Sequence, residues 1–258
     1  MPSVISFREV TKVYRSSHLG RTIKKIGLID FSIDVEKGEA FGLLGLNGSG
    51  KTTTFKLALG LLTPNSGTVK IFDLSPLTRS FYSRIGYVPE LPYFHSFLTV
   101  KACLKFYGKL SGLSQADIQS NLDRVLWETG LVVYKDKRIS ELSKGLSQRV
   151  ALAQATIHNP DLLILDEPMS GLDPLATRDL REYLSRLLEE GKTIFISSHS
   201  IFEIEKLCHR VGVLKEGRLI RILQRKDWVE FPGGLEGRFA EIVQNEGSTK
   251  ALLGNSVK

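Results

Sequence analysis

The stretch Gly45-Leu46-Asn47-Gly48-Ser49-Gly50-Lys51-Thr52 fits G-x-x-x-x-G-K-[ST] and lies between an apolar run and a helical pattern. No other feature narrows the fold so far. Ala40 to Leu46 is apolar without alternation, as in a strand buried on both faces, and Thr53 to Leu62 carries apolar residues at helical spacing. A glycine-rich bend between strand and helix lets the backbone N–H groups of Gly45, Asn47, Gly48, Ser49 and Gly50 point at an anion, as does the helix N-terminus at Lys51, Thr52 and Thr53. In such a cradle Lys51 reaches the β- and γ-phosphates of a nucleotide, and the Thr52 hydroxyl is a ligand for Mg²⁺. A glycine-rich turn without a ligand is the competing reading. The match at every fixed position and the strand-to-helix context argue against it.

At 258 residues the chain can bury a full core, as one large domain or as a domain with an inserted lobe. Hydrophobic content of 42% with 24% charged residues is ordinary for a globular protein. No apolar run approaches the roughly 18 residues that a membrane-spanning helix needs. Met1-Pro2-Ser3-Val4 has no basic segment followed by an apolar core, so no secretory leader is expected and the chain is expected in the cytosol. Cys103 and Cys208 lie far apart without C-x-x-C spacing, which points to buried reduced thiols rather than a disulfide or zinc framework. The formal charge of +7 permits nucleic acid or an anionic membrane face as neighbours without requiring either, and Arg21, Lys24 and Lys25 form a small basic group that reads as a solvated face.

Two early strands, one carrying Ile5, Phe7, Val10 and Val13 and the other Phe31, Ile33 and Val35, are expected to flank a long polar loop from Arg15 to Lys25. Pro64-Asn65-Ser66-Gly67 is a turn signal, Thr68 to Phe72 reads as a strand, and Ile85 to Val88 reads as another that ends at Pro89. From Leu98 the period becomes helical: Val100, Cys103, Leu104, Tyr107 and Leu110 share a face. Ser114 with Asp117 then opens a second helix through Ile118, Leu122, Val125 and Leu126. Residues 91–160 therefore read as a helical insertion in an α/β core. The core resumes with the strand Asp161 to Asp166, a helix capped by Asp173-Pro174 and running to about Glu190, the strand Thr193 to Ser197, a short helix from Ser200 to Cys208, and a hairpin around Lys215-Glu216-Gly217. Beyond Lys226 the signal weakens, Pro232-Gly233-Gly234 breaks the chain, and the last dozen residues read as fraying.

A phosphate loop alone leaves many nucleotide enzymes open; a second carboxylate site narrows them. At the end of Leu163-Ile164-Leu165, Asp166 is placed to hold Mg²⁺ and Glu167 to activate a water for attack on the γ-phosphate. With these motifs in place, Leu142-Ser143-Lys144-Gly145-Leu146-Ser147-Gln148-Arg149 is similar to the LSGGQ signature of the ATP-binding cassette family, and the chain resembles the nucleotide-binding subunits of that family's transporters over about residues 4 to 220. The resemblance implies an α/β fold: a RecA-like P-loop NTPase core with an N-terminal antiparallel β subdomain and an inserted α-helical subdomain. It also implies an ATP-binding domain over 1–226 and a short, partly flexible extension over 227–258.

The resemblance further implies ATP and Mg²⁺ as cofactors, with Lys51, Glu167 and His199 catalytic and Thr52, Asp166 and Glu90 near the metal. It implies that Tyr14 stacks on adenine, that Ser143 and the Gly145 N–H bind ATP held by a second protomer, and that Ser170-Gly171-Leu172-Asp173 crosses the dimer interface, although Asp173 would cap its helix whatever the function. Two departures stand out. Glu90 replaces the usual glutamine, as in the exporter branch with separately encoded ATPase subunits, and the signature carries Lys144 for glycine and Leu146 for glutamine. The implied partners are an integral membrane permease and a second ATPase subunit, identical or paralogous, on the cytoplasmic face of the cell membrane, with no nucleic acid expected. The aromatic stretch Leu91-Pro92-Tyr93-Phe94-His95-Ser96-Phe97 is either the lining of a permease-docking groove or aromatic core. The alternative function is a soluble cassette ATPase acting on nucleic acid or in cofactor assembly.

Overall fold

The computed structural model describes residues 3–18, 21–76 and 78–254. Two strands, β1 (Ser3–His18) and β2 (Arg21–Glu36), pair antiparallel, and β4 (Ser66–Ile71) joins β1 to complete a three-stranded sheet. The second sheet has six strands in the order β5 (Ile85–Val88), β6 (Leu162–Asp166), β7 (Thr193–Ser197), β3 (Ala40–Leu44), β8 (Arg210–Lys215) and β9 (Arg218–Gln224). All but the hairpin strand β9 run parallel. The unbroken apolar runs of β3, β6 and β7 are buried at every position, as parallel strands covered on both faces require.

Helix α1 (Lys51–Ala58) follows β3 directly. Helices α2 (Val100–Leu110), α3 (Gln115–Glu128) and α4 (Lys144–Thr156) form the expected insertion between β5 and β6. Ser114 caps α3 by accepting from the Asp117 N–H, and Ser143 caps α4 by accepting from the Leu146 N–H at 3.3 Å. The helix α5 (Pro174–Glu189) starts at the Asp173 cap with proline in its first turn, and α6 (Ile201–Leu207) follows β7. One apolar core joins the helical lobe to the sheet. Another, built on Phe7, Phe31, Phe41, Phe55 and Phe195, joins the small sheet to the large one, with edge-on ring pairs such as Phe55–Phe195 at 4.7 Å.

The structure departs from the sequence reading in several places. Of the segment from Arg15 to Lys25, the described residues belong to strands and not to the expected loop: β1 continues to His18 and β2 starts at Arg21, with Tyr14 opposite Lys25 and Arg15 opposite Lys24, while residues 19–20 lie outside the described residues. Ladder hydrogen bonds are made by the backbone and need no apolar alternation, so the hydrophobic pattern is silent here. Strand β4 begins at Ser66 and ends at Ile71; Phe72 lies in a turn at φ +50° beneath the Arg84 guanidinium, 3.7 Å from its ring centre. After Lys226, where the sequence signal weakens, the chain forms two helices, α7 (Lys226–Val229) and α8 (Gly234–Gly254), and residues 255–258 of the end that reads as fraying lie outside the described residues. Trp228, Leu235 and Ile242 are buried, and Phe239 packs half-buried beside them, so Leu235, Phe239 and Ile242 form one face at i, i+4 and i+7.

Both cysteines are buried free thiols, and burial pushes Cys103 up to about 12 and Cys208 up as well. Two partly covered imidazoles bear on the central sheet. His209 Nδ1 accepts the N–H of Ala40, the first residue of β3, at 3.0 Å, and His158 Nε2 donates to the Ile85 carbonyl at 2.9 Å. Burial first, and then the charges of Arg225 and Lys192 respectively, hold both below the ordinary 6.5. The unfolded chain therefore binds more protons than the folded one as pH falls through about 6.5. The stability these neutral rings contribute is complete above that pH and is lost as pH drops through their lower folded values. The melting temperature is expected to fall on acidification from about pH 7.5 to about 5.5, and His209→Asn to make that fall shallower, as followed by circular dichroism.

Candidate functional site

Because β6, β7 and β3 are neighbours and parallel, their carboxyl ends open on the same edge of the sheet. Three loops meet there: Gly45 to Gly50 after β3, Glu167 after β6, and Ser198-His199 after β7. They line a cleft of about 970 Å³. Gly45 is required by packing, since a Cβ would come within 2.5 Å of both the Leu214 carbonyl and Ser49 Oγ. Gly50, at φ +117°, lies against the Gly27 carbonyl and hands the chain into α1, whose first-turn N–H groups have no intrahelical partner.

Glu167 is the centre of the polar network. Its backbone sits at φ +50°, a conformation that non-glycine residues adopt at a cost, with its N–H donating to Ser197 Oγ at 3.1 Å. Its carboxylate bridges two donors. Oε1 lies 3.4 Å from Lys51 Nζ, and Oε2 accepts from His199 Nδ1 at 2.7 Å and from the His199 N–H at 2.9 Å. Lys51, 7% exposed, also donates to the Gly45 carbonyl at 2.7 Å. Asp166 stands one step deeper, 2% exposed, accepting from Ser197 Oγ at 2.7 Å, and its charge adds to burial in pushing the Tyr87 phenol up to about 12.

The sequence-derived residues divide into two groups. Tyr14, Gly45, Asn47, Gly48, Ser49, Gly50, Lys51, Thr52, Thr53, Glu90, Glu167 and His199 all face the cleft, while Asp166 lies just behind it. Ser143, Gly145 and Asp173 do not reach it: the first two begin α4 and the third caps α5 through the Ala176 N–H. Tyr14 Oη is 3.1 Å from Thr53 Oγ1, and its ring lies over Gly27, where a Cβ would come within 2.8 Å of Cε2. Sequence reasoning missed Lys25, Ile26, Gly27 and Lys56 beside Tyr14, and Ser198, Ile201 and Phe239 beside His199. Lys25 could have been found from cross-strand pairing with Tyr14. Phe239 could not, because it reaches the cleft only through the packing of α8 on α6.

The donors fit a triphosphate. Ser49 Oγ, on a residue 4% exposed, is buried without a hydrogen-bond partner in the wall of the cleft, and Lys51 and His199 converge on one small anionic position. The oxygen set of the Thr52 hydroxyl with the Asp166 and Glu90 carboxylates suits Mg²⁺, a hard cation that keeps several waters and takes few protein ligands. Among the described residues no group of three or more His, Cys, Asp or Glu forms a closed metal cage.

The family model for ABC transporters matches residues 28–170. The chain belongs to that family. It is 41% identical over 224 residues to the bacitracin transport ATP-binding protein BcrA of Enterococcus faecalis, covering 85% of this chain and 69% of that one. It is 38% identical over 220 residues to the Nod factor export ATP-binding protein I of Paraburkholderia xenovorans, covering 84% and 70%. A solved structure described as the ATP binding subunit of an ABC transporter superposes with a TM-score of 0.80 at 27% identity, covering 93% of this chain and all of that one. The ABC ATPase thus carries the P-loop fold expected from its sequence, and it binds and hydrolyses ATP as a subunit separate from a permease. Among its described residues no helix is long and apolar enough to cross a membrane. If the Tyr14 ring carries the base, Tyr14→Ala is expected to weaken ATP binding about tenfold. Tyr14→Phe, which loses only the bond to Thr53, should weaken it less than about threefold in titrations with a fluorescent ATP analogue.

Proposed function

We propose that two ATPase subunits, identical or paralogous, close around two ATP molecules and drive export through a separate membrane permease at the cytoplasmic face of the membrane. Each site would combine the phosphate loop of one subunit with Ser143 and Gly145 of the other, which accounts for the distance of the signature segment from this chain's own cleft. The observation that carries the reading is the Glu167 carboxylate held between Lys51 and His199. A carboxylate there occupies the place in which a γ-phosphate would be gripped by the same two donors.

When ATP enters, its γ-phosphate would take over Lys51 and His199 and release Glu167 to accept a proton from the attacking water. Thr52, Asp166 and Glu90 would hold Mg²⁺, which supplies neutralisation of charge developing on the phosphates. After cleavage the γ-phosphate contacts are gone, Glu167 returns to its two donors, and the clamp loses its hold. Glu167→Gln is expected to slow hydrolysis by on the order of a hundredfold or more while leaving an ATP-bound dimer visible by size-exclusion chromatography. Turnover near that of the unmodified chain would remove Glu167 from the mechanism.

The aromatic stretch after Glu90 divides between the two roles considered for it. Phe94 is buried against Tyr107, whereas Leu91, Tyr93 and Phe97 are 75%, 84% and 69% exposed, and His95 stacks on Phe97 next to exposed Phe106. Several large apolar side chains exposed together, rimmed by Glu90, suit a permease segment. The names of the bacitracin transport and Nod factor export relatives, and Glu90 itself, support the exporter assignment. Tyr93→Asp with Phe97→Asp is expected to abolish copurification with a polytopic membrane protein from detergent extract while ATP binding persists. Retained copurification would move the docking site elsewhere.

A further inference from the structure

Lys144 stands where the signature segment of the family normally has glycine, and its side chain runs across to another part of the same chain. Its Nζ and Cε lie over Gly171: a Cβ on Gly171 would collide with Nζ and come within 3.2 Å of Cε, and Gly171 itself adopts φ +68°. The neighbouring residues continue the contact, since Leu172 approaches Gly145 and packs half-buried against the core. The segment from Ser170 to Asp173 thus rests on the first turn of α4.

The seam between α4 and α5 is fastened unevenly. At one end Arg149 donates to Asp179 at 2.9 Å and to the Thr129 carbonyl at 3.1 Å, pinning α4 to α5 and to the end of α3. Between that pin and Lys144 is a small cavity of about 40 Å³, lined in part by Gln148, Leu172 and Ala176. Gln148 is 5% exposed, and its Nε2 is buried without a hydrogen-bond partner. An open cavity beside an unsatisfied donor marks packing that another arrangement of the seam would improve, and the Arg149 pin makes the Lys144 end the one free to shift.

What lies on either side of that end gives the shift a meaning. Ser170 lines the chain's own nucleotide cleft, and its N–H donates to the Glu167 carbonyl at 3.0 Å. Ser143 and Gly145, flanking Lys144, belong by the reading above to the other nucleotide. We propose that Lys144 is a positioning residue that couples the two nucleotide sites of the paired ATPase. Closure of Ser143–Gly145 on the partner's ATP presses Lys144 on Gly171, and Gly171 carries the displacement to Ser170 and the Glu167 backbone. The proposal rests on the two-subunit sandwich, and it supplies a discrete joint whose arrangement both sites bias.

The test uses mixed dimers of one competent chain and one Glu167→Gln chain, purified through different tags, with Lys144 present or replaced by alanine on both chains. With Lys144, the competent site should turn over at on the order of a tenth of its rate in the fully competent dimer. With Lys144→Ala, it should run within about twofold of its rate in the Lys144→Ala homodimer, and ATP-driven association of Glu167→Gln chains should be unchanged. Equal suppression with and without Lys144, or no suppression in either, overturns the coupling role. A Lys144→Ala effect confined to weaker association overturns it too, and would make the ammonium a phosphate ligand instead. Failure of Glu167→Gln chains to associate with ATP at all would remove the sandwich itself, an outcome distinct from the others.

Discussion

One carboxylate, that of Glu167, satisfies an ammonium and an imidazole that come from the loops after two other strands. Both Lys51 and Glu167 are largely withdrawn from solvent. Leaving either charge unpaired there would cost several kcal/mol, as is typical for breaking a buried ion pair. Glu167 therefore already pairs with both donors, and a phosphate gripped by Lys51 and His199 has to replace it as their partner. On the proposed mechanism, the exchange of one anion for another would link binding to the release of Glu167.

The sheet makes this economy possible. The strand order β6-β7-β3 places three chain segments distant in sequence side by side, and the parallel direction brings all three ends to one edge. Ser197, at the end of the middle strand, fastens the end of β6 by donating to Asp166 and accepting from the Glu167 N–H. The strained backbone of Glu167 is held by that bond and by the buried strand behind it.

Most of the site's own residues were legible in the sequence because their constraints are local. A phosphate loop needs glycine at fixed spacing, helix caps need Ser or Asp beside the first turn, and a doubly covered strand needs an unbroken apolar run. Tyr14, the loop from Gly45 to Thr52, Glu90, Glu167 and His199 all face one cleft as read. What escaped was nonlocal or carried no apolar code. The ribbon past Tyr14 is paired through its backbone, which leaves no mark in the apolar pattern. Among its described side chains, helix α8 places Leu235, Phe239 and Ile242 on one core-facing side, in a sequence broken by Pro232-Gly233. Phe94 and Phe97 look alike in sequence, and only the packing of Phe94 on Tyr107 separates core from surface.

The strand order also has a consequence in time. Strand β3 is made well before both of its neighbours, β7 and β8, which lie far downstream of it in sequence, and Phe239 follows later still. The nascent polypeptide must therefore carry an unflanked, wholly apolar strand and an unfinished phosphate loop until those downstream strands are made. That interval exposes it to misassembly and favours protection by a chaperone until the last strands dock.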